Sequence, residues 1–267
     1  MPPPAWLTQA LAVDYGEFLP LRAAERRFGW VRPEFAAVLA RFPEVFACEP
    51  LRVSLVEPLA TPAARTEALA RVASQLHDEG LVTGWRDEPH EVYAEASGEP
   101  LARIERAAMK RFGIRGRAVH LNGIVEADAG PAMWVARRSA TKATDPGKLD
   151  NLVGGGVAAG LDAWQTLVKE CREEAGLPLE LVRRARPRDV LAFDYLVDDG
   201  LDANEVEAFD LPLESGFAPR NEDGEVAGFE LVPFDAVRKR LEVPHLFIVD
   251  AALVAWTCLQ RWEGRPL

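Results

Sequence analysis

Three glutamates at helical spacing are the residues in this 267-residue chain whose pattern most clearly suggests chemistry. Glu170, Glu173 and Glu174 occupy positions i, i+3 and i+4, so a helix places them on one face. Their charges repel one another, and the dipole near the C-terminal end of a helix favours cations. Two interpretations stay open, a solvated acidic face or a site for hard cations such as Mg²⁺ or Mn²⁺, which prefer oxygen ligands.

The segment around these glutamates predicts a glycine-rich loop followed by a helix. We expect the helix at 162–175, ended by Gly176, with Pro178 two residues further on. Its core-facing stripe is predicted to consist of Trp164, Leu167, Val168, Cys171 and Ala175. The loop contains Gly154, Gly155 and Gly156, which would let the backbone bend close to a ligand.

This segment resembles the Nudix box, whose pattern is G-x5-E-x7-R-E-U-x-E-E-x-G-U, where U is aliphatic. Gly155 matches the first glycine, and KECREEAGL matches the closing half. Leu161 and Lys169 stand where the pattern has a glutamate and an arginine, and Cys171 stands at an aliphatic position. The resemblance implies that Glu170, Glu173 and Glu174 bind a divalent metal, with Glu173 and Glu174 also catalytic.

Three further segments resemble one particular Nudix branch: VHLNGIV, MWVARRSATKATDPGKLDNLVGGG and NEDGEV. Members of that branch carry an extra N-terminal domain, and its relatives include the Nudix portions associated with thiamin pyrophosphokinase in fungi and plants. They commonly lack the first glutamate of the box and carry lysine for arginine, as here. The resemblance implies an α/β fold. A Nudix α/β/α sandwich with a mixed sheet would span 115–267, preceded by a smaller α+β accessory domain at 1–114.

Hydrophobic periodicity and turn residues predict the elements that would position these residues. The second half is predicted to contain a final helix at 247–262, a turn at 126–131, and strands at 119–125, 132–138, 149–153, 186–197, 205–211 and 225–232. In the first half we expect strands at 51–56 and 91–96, and helices at 5–11, 31–42, 63–79 and 100–112.

Cations before the box are candidates for binding a diphosphate. Arg137, Arg138 and Lys142 form a basic cluster in an acidic chain. Strand residues alternate faces, so at most one of the two arginines is expected to act directly. Glu225 is a candidate metal ligand or general base, although an acidic hairpin turn around Asp223 and Gly224 explains it equally well.

The first half offers one candidate for contacting the organic part of a substrate. Trp85 is either a buried aromatic paired with Arg86 or, together with Arg86, a surface that stacks on a ligand. His77 and His90 are expected on the protein surface.

Composition limits the classes of partner. The formal net charge is −11, which argues against nucleic acid or an anionic membrane as a partner. The sequence shows no apolar run of membrane-spanning length and no secretory signal, and its three cysteines lie apart, so we expect a cytoplasmic protein without a zinc site. A homodimer is left open.

Taken together, the residues and the resemblance predict a Mg²⁺- or Mn²⁺-dependent Nudix hydrolase. Its substrate would be a small cofactor-like or nucleoside-like diphosphate, cleaved to the monophosphate, and the branch resemblance points to thiamin diphosphate or its damaged analogues. Two alternatives are an isopentenyl-diphosphate isomerase-like enzyme and a non-catalytic diphosphate-binding module.

Overall fold

A computed structural model describes residues 2–95, 98–127 and 130–264. In the N-terminal part, a four-stranded sheet has the order β2-β1-β4-β3, and β5 and β6 form a separate pair. The strands are β1 (Leu19–Ala23), β2 (Arg26–Val31), β3 (Phe46–Glu49), β4 (Arg52–Leu55), β5 (Pro89–Tyr93) and β6 (Pro100–Glu105). The helices are α1 (Ala5–Ala10), α2 (Pro33–Leu39), α3 (Pro62–Asp78) and α4 (Met109–Phe112), with short 3₁₀ turns at Tyr15–Glu17 and Arg106–Ala108.

One apolar cluster holds this N-terminal part together. Helix α3 starts at Thr61, whose side chain accepts the first capping bond, and it turns a stripe of small and aliphatic residues inward. Leu69, Val72 and Leu76 from that stripe are buried with Ile104 of β6 and Phe112 of α4. Helix α1 lies outside this cluster, because Leu7 packs instead among residues of the C-terminal helices.

A seven-stranded mixed sheet forms the second half. Its order is β11-β12-β7-β8-β13, with β10 also pairing with β7 and β9 with β8. Strands β7 and β12 run parallel, whereas the other pairs are antiparallel. The strands are β7 (Arg115–Ala127), β8 (Gly130–Arg138), β9 (Leu149–Asp150), β10 (Val153–Gly156), β11 (Arg186–Val197), β12 (Gly200–Leu213) and β13 (Val226–Pro233).

Helices cover both faces of this sheet. They are α5 (Ala163–Ala175), α6 (Leu179–Val182), α7 (Phe234–Leu241) and α8 (Val249–Trp262). Successive residues of β7 point to opposite faces, so Leu121 packs with Leu167 of α5, and Ile124 packs with the layer that contains α8. The predicted α/β/α sandwich with a mixed sheet, preceded by a region of sheets and helices, is confirmed.

Several predicted elements of the first half are wrong. The expected helix at 100–112 is a strand at Pro100–Glu105 that pairs with β5, and only Met109–Phe112 is α-helical. The antiparallel pair β1 and β2 was not predicted. At Pro100–Glu105, strand pairing with a partner supplied by the fold outweighs local helix propensity. Residue 96 of the predicted strand at 91–96 lies outside the described residues, as do residues 128 and 129 of the predicted turn at 126–131.

The box helix itself forms as predicted. Asp162 caps it, with its side chain accepting from the Gln165 amide, and Gly176 ends it in the left-handed conformation at φ 61°. Trp164, however, is exposed and does not belong to the buried stripe. Among the described residues, no helix is long and apolar enough to cross a membrane.

Candidate functional site

The glycine stretch forms a strand, not the bend that its composition predicts. Gly154 to Gly156 lie in β10 and pair with residues of β7, so Gly155 lies opposite Val119. A β-carbon at Gly155 would lie 2.5 Å from Cγ of Glu170, closer than atoms can pack. The glycine therefore serves to let α5 bring its glutamates against the strand.

The other face of β10 also tolerates no side chain. A β-carbon at Gly154 would lie 2.9 Å from Cε1 of His120, and one at Gly156 would lie 2.8 Å from Cε1 of His90. Thus β10 is a thin wall, with the glutamates of α5 on one side and two histidine rings on the other.

Glu174 is the buried carboxylate of the site, with 4% of its surface exposed. Its Oε2 accepts the backbone N–H of Gly154 at 2.9 Å, and its Oε1 lies 3.1 Å from Nζ of Lys142. Burial raises the pKa of Glu174 to about 7, against the opposing effect of the Lys142 charge. The free-energy cost of burying this carboxylate is thus only partly offset by one ammonium group.

Lys142 also joins Glu174 to Glu225. Its Nζ lies 2.7 Å from Oε2 of Glu225, and Nη1 of Arg86 lies 3.9 Å from Oε1 of the same carboxylate. Partial burial works to raise the pKa of Glu225, but the hydrogen bond and charge of Lys142 outweigh it and hold this pKa below its usual value. Residues far apart in sequence therefore meet here as an alternating chain of charges.

Glu170 and Glu173 share a second lysine. Nζ of Lys169 lies 2.9 Å from Glu170 and 3.0 Å from Glu173. Burial raises the pKa of Glu170, although Lys169 opposes that change. Lys169 thus forms ion pairs with two glutamates of its own helix and offsets one of their two charges.

The donors present fit a divalent cation of the hard class. Within the described residues, no three His, Cys, Asp or Glu side chains already converge as a ligand set. Instead, the ammonium groups of Lys142 and Lys169 lie between the carboxylates. All the acidic groups offer oxygen, the ligand atom that Mg²⁺ and Mn²⁺ prefer, and Gly155 leaves room for Glu170 beside the strand.

A cavity of about 430 Å³ lies on the other side of β10, between the N-terminal part and the sheet. Its lining includes Arg86 and, beside the glycines, Arg106, His90 and His120. Because Arg86 also approaches Glu225, this cavity and the glutamate cluster meet at one side chain. A ligand of this size could lie in the cavity with an anionic end near the glutamates.

His90 corrects the sequence prediction, which placed it on the surface. Only 3% of it is exposed, and its Nε2 lies 3.0 Å from Oε1 of Glu88, which also binds Arg106 at 3.3 Å. The hydrogen bond from His90 is the largest cause that lowers the pKa of Glu88 to about 2. Sequence could not show this cluster, because the pairing of β5 with β6 brings its members together.

Comparison with known proteins identifies the second half. The sequence model of the NUDIX domain matches residues 116–251, just over half of the chain. The chain belongs to the Nudix family. A second model, described as a domain of unknown function, DUF4743, matches residues 7–116.

Two plant Nudix proteins resemble this chain over both regions. Nudix hydrolase 24, chloroplastic, of Arabidopsis thaliana is 35% identical over 90% of this chain, and Nudix hydrolase 20, chloroplastic, of the same plant is 34% identical over 90%. The chain spans 66% of the length of each of these relatives. Among solved structures, DR0079 of Deinococcus radiodurans has a TM-score of 0.49 at 20% identity, over 64% of this chain and 99% of that one.

The arginines before the Nudix box point in different directions, as strand alternation predicts. Arg138 lines the cavity and binds Oδ2 of Asp150 at 2.9 Å. Arg137 donates to the carbonyl of Gly147 instead and is not among the cavity-lining residues. Of these two predicted diphosphate ligands, the structure brings only Arg138 to the cavity.

Trp85 and Arg86 also separate. The indole of Trp85 stacks on His77 with the ring centres 4.9 Å apart, and its Nε1 donates to Asp87. It packs against the N-terminal core, whereas Arg86 lines the cavity. Only the arginine of this pair therefore stands where a substrate could be contacted.

A buried network of hydrogen-bonded side chains, which the sequence did not predict, lies behind the Nudix box. Nδ1 of His120 lies 2.7 Å from Oδ1 of Asn151, and Asn151 donates to Asn122, which donates to Asp210. Burial lowers the pKa of His120. His120 and Asn122 lie on one face of β7, and their hydrogen bonds fix the strand behind the glycines.

Proposed function

We propose that this Nudix protein is a Mg²⁺- or Mn²⁺-dependent hydrolase that cleaves the diphosphate of a small organic molecule to the monophosphate. The proposal rests on Arg86, where the cavity and the glutamate cluster meet. This side chain lines the cavity and lies 3.9 Å from Glu225, which shares Lys142 with the box glutamate Glu174.

Glu170, Glu173 and Glu174 would hold the divalent ion, with Glu225 as a further ligand or the general base. A divalent ion bound there supplies charge neutralisation of the diphosphate and lowers the pKa of an attacking water. The protein's own part is positioning: Gly155 allows Glu170 to approach β10, and the amide of Gly154 orients Glu174.

The cations of the cavity would bind the phosphate oxygens that the metal leaves free. Arg86 and Arg106 come from the N-terminal part and Arg138 from β8, and guanidinium groups suit bidentate binding of phosphate. Lys142, which pairs with Glu174 and Glu225, would supply a further positive charge for the phosphate. We therefore assign residues 1–114 an active part, as an accessory domain that closes the cavity over the substrate.

For the organic group we propose a cofactor-like or nucleoside-like ring, with thiamin diphosphate or its damaged analogues as the first candidates. The cavity of about 430 Å³ is within the size range of small-molecule sites. The resemblance to the branch associated with thiamin pyrophosphokinase adds the specific compound, and the two named plant relatives support the hydrolase class.

A substrate screen tests this proposal. The full chain is incubated with thiamin diphosphate, oxidised thiamin diphosphate, ADP-ribose, nucleoside diphosphates and isopentenyl diphosphate, and the release of monophosphate products is measured directly by chromatography. We expect release with Mg²⁺ or Mn²⁺, none in EDTA and almost none with Glu174→Gln. Metal-independent release, or no release from any compound, would overturn the proposal.

The isomerase alternative has no support from the site. Its chemistry would need a cysteine at the metal centre, but Cys171 and Cys258 are buried in apolar clusters. Cys48 lies in β3, and none of the three lines the cavity as the described residues form it. The binding-module alternative is decided by the same screen, because it predicts metal-dependent binding without product release.

A further inference from the structure

Two segments of the N-terminal part carry the arginines that reach the cavity, and these segments are joined to each other. Arg86 lies in the irregular segment at 81–88 between α3 and β5, and Arg106 begins the 3₁₀ turn after β6. The backbone N–H of Arg106 donates to the carbonyl of Glu88 at 3.0 Å. The direction of both guanidinium groups therefore depends on how this junction is built.

Glu105 is the buried carboxylate of the junction, with 6% of its surface exposed. Its Oε1 accepts the backbone N–H of Arg86 at 3.1 Å and that of Ala107 at 3.3 Å. Its Oε2 accepts the backbone N–H of Glu88 at 2.9 Å. A buried charge is costly unless it is hydrogen-bonded, and bonds from amides to a carboxylate are stronger than those between neutral groups. One side chain thus fixes the backbone on both sides of the junction.

The segment that carries Arg86 has an unusual backbone conformation. Asp87, between Arg86 and Glu88, has a φ of 55°, in the left-handed region that residues other than glycine rarely adopt. Such a conformation persists where the surrounding structure determines it. The amides on both sides of Asp87 donate to Glu105, so this carboxylate supplies that constraint.

Arg106 is held through Glu88. Oε2 of Glu88 lies 3.3 Å from Nη1 of Arg106, and Oε1 lies 3.0 Å from Nε2 of His90. Because Glu105 fixes the backbone of Glu88, it acts on Arg106 through that residue. It acts on Arg86 through the backbone of Arg86 itself.

We propose that Glu105 is a positioning residue for substrate binding, which orients Arg86 and Arg106 together towards the anionic part of the substrate. The inference rests on the proposed hydrolase function. Glu105 does not line the cavity that the described residues form, so it acts through the two arginines that do.

Two variants of Glu105 test this role. Glu105→Gln turns an NH₂ group towards a backbone donor, and Glu105→Asp keeps the charge but shortens its reach. For a diphosphate that the native chain cleaves, we expect each variant to raise KM about tenfold, the effect of one charged hydrogen bond, and to keep kcat within about threefold. Calorimetry with inorganic pyrophosphate and no metal should show about the same tenfold loss of affinity without catalysis.

Thr61→Ala is the matched control, because Thr61 also accepts a backbone amide in the N-terminal part, that of Ala64 at 3.2 Å. Thr61 is not among the cavity-lining residues. This variant should lower the melting temperature through the lost cap of α3 and keep the native KM and pyrophosphate affinity. It therefore separates lost stability from lost positioning.

A second control introduces Glu105→Gln into a chain that already carries Arg86→Ala and Arg106→Ala. Residues that act through one another have non-additive effects. In this background Glu105→Gln should leave KM and pyrophosphate affinity unchanged, while the melting temperature still falls.

The two levels of proposal fail differently. A native KM and native pyrophosphate affinity in the folded Glu105 variants overturn the positioning role, and hydrolysis by the native chain then leaves the proposed function in place. The role is also overturned if neither variant folds, if kcat falls as much as KM rises, or if the effect persists in full without the two arginines. If the native chain hydrolyses no compound, the hydrolase function is wrong and pyrophosphate binding decides the role alone. Absent binding by the native chain, or equal binding by Glu105→Gln, then overturns it.

Discussion

Nζ of Lys142 lies 3.1 Å from Oε1 of Glu174, and each side chain is less than one-tenth exposed, at 9% and 5%. This ammonium therefore supplies a positive charge beside the box glutamate. A divalent ion that binds Glu174 must compete with it, and the competition makes metal binding measurable on the protein itself.

The first prediction concerns metal. Adding Mn²⁺ should raise the melting temperature of the native chain, because a ligand that binds only the folded state stabilises it. Glu174→Gln should abolish most of that rise and lower kcat roughly 100-fold or more, through lost electrostatic stabilisation of the reaction. Differential scanning fluorimetry and the product-release assay provide the two readouts.

Glu180→Gln is the control for this experiment, since Glu180 is an exposed glutamate on the neighbouring helix α6. It should respond to Mn²⁺ as the native chain does. If Glu174→Gln keeps the full Mn²⁺ response and full turnover, the assignment of Glu174 as a metal ligand is wrong.

The second prediction concerns Gly155. An alanine there would place its β-carbon 2.5 Å from Cγ and 2.6 Å from Cδ of Glu170, so the glutamate side chain must move away. Displacing a catalytic side chain by about 1 Å can lower the rate roughly 100-fold. The fold itself needs only an adjustment of the Glu170 side chain. Gly155→Ala should therefore lose most turnover and Mn²⁺ response with little change in melting temperature.

Gly228→Ala is the matched control, because Gly228 also lies in a strand and a β-carbon there meets nothing within 4 Å. It should retain native turnover. Full activity of Gly155→Ala would show that the approach of Glu170 to β10 does not matter for the reaction.

The Nudix half could be predicted from sequence further than the N-terminal half, for physical reasons. Local signals predict the helix at Ala163–Ala175, namely the Asp162 cap and the terminal Gly176. Gly155 was recognised but misinterpreted, since a glycine that allows two elements to approach looks the same in sequence as one that allows a bend. Glycines of both kinds lack a side chain, and only the contacts distinguish them.

The cavity could not be predicted because its residues have no common sequence pattern. His90 and Asp250 stand 160 positions apart and line one space only after the N-terminal part packs on the sheet. Neither His90 nor Asp250 stands out locally, because an aspartate in a first helical turn is ordinarily a dipole-compensating surface residue. Long-range packing buries His90 and places the partly buried Asp250 at the same cavity.

The third prediction separates Arg86 from its neighbour Trp85. Arg86→Ala removes a cavity cation beside Glu225, so KM for a cleaved diphosphate should rise about tenfold or more, the effect of one charged hydrogen bond. Trp85→Ala should instead lower stability by about 2 kcal/mol, since its half-buried ring packs on His77 and the N-terminal core. Steady-state kinetics and melting curves on both variants distinguish these outcomes. If Trp85→Ala raises KM and keeps the native melting temperature, the indole contacts the substrate and this prediction is wrong.

The fourth prediction concerns pH and Asp250. In the folded protein, burial first and then Asp202 raise the pKa of this carboxyl from its usual value of 3.8 to about 8, against the charge of Lys110. The folded state thus holds the proton more tightly than the unfolded state does. Its contribution to stability is complete below pH 4 and is lost as the pH rises towards 8. Asp250→Asn cannot ionise, so its melting temperature should be higher than that of the native chain between pH 5 and pH 9.

Asp202, Asp150, Asp145 and Lys110 also act on Asp250 and remain in both proteins, so the difference between the two curves isolates Asp250. Asp235→Asn removes an exposed carboxylate at the equivalent helix position and should follow the native curve. A constant difference between Asp250→Asn and the native chain across this range would show that Asp250 is ionised throughout and already has a partner.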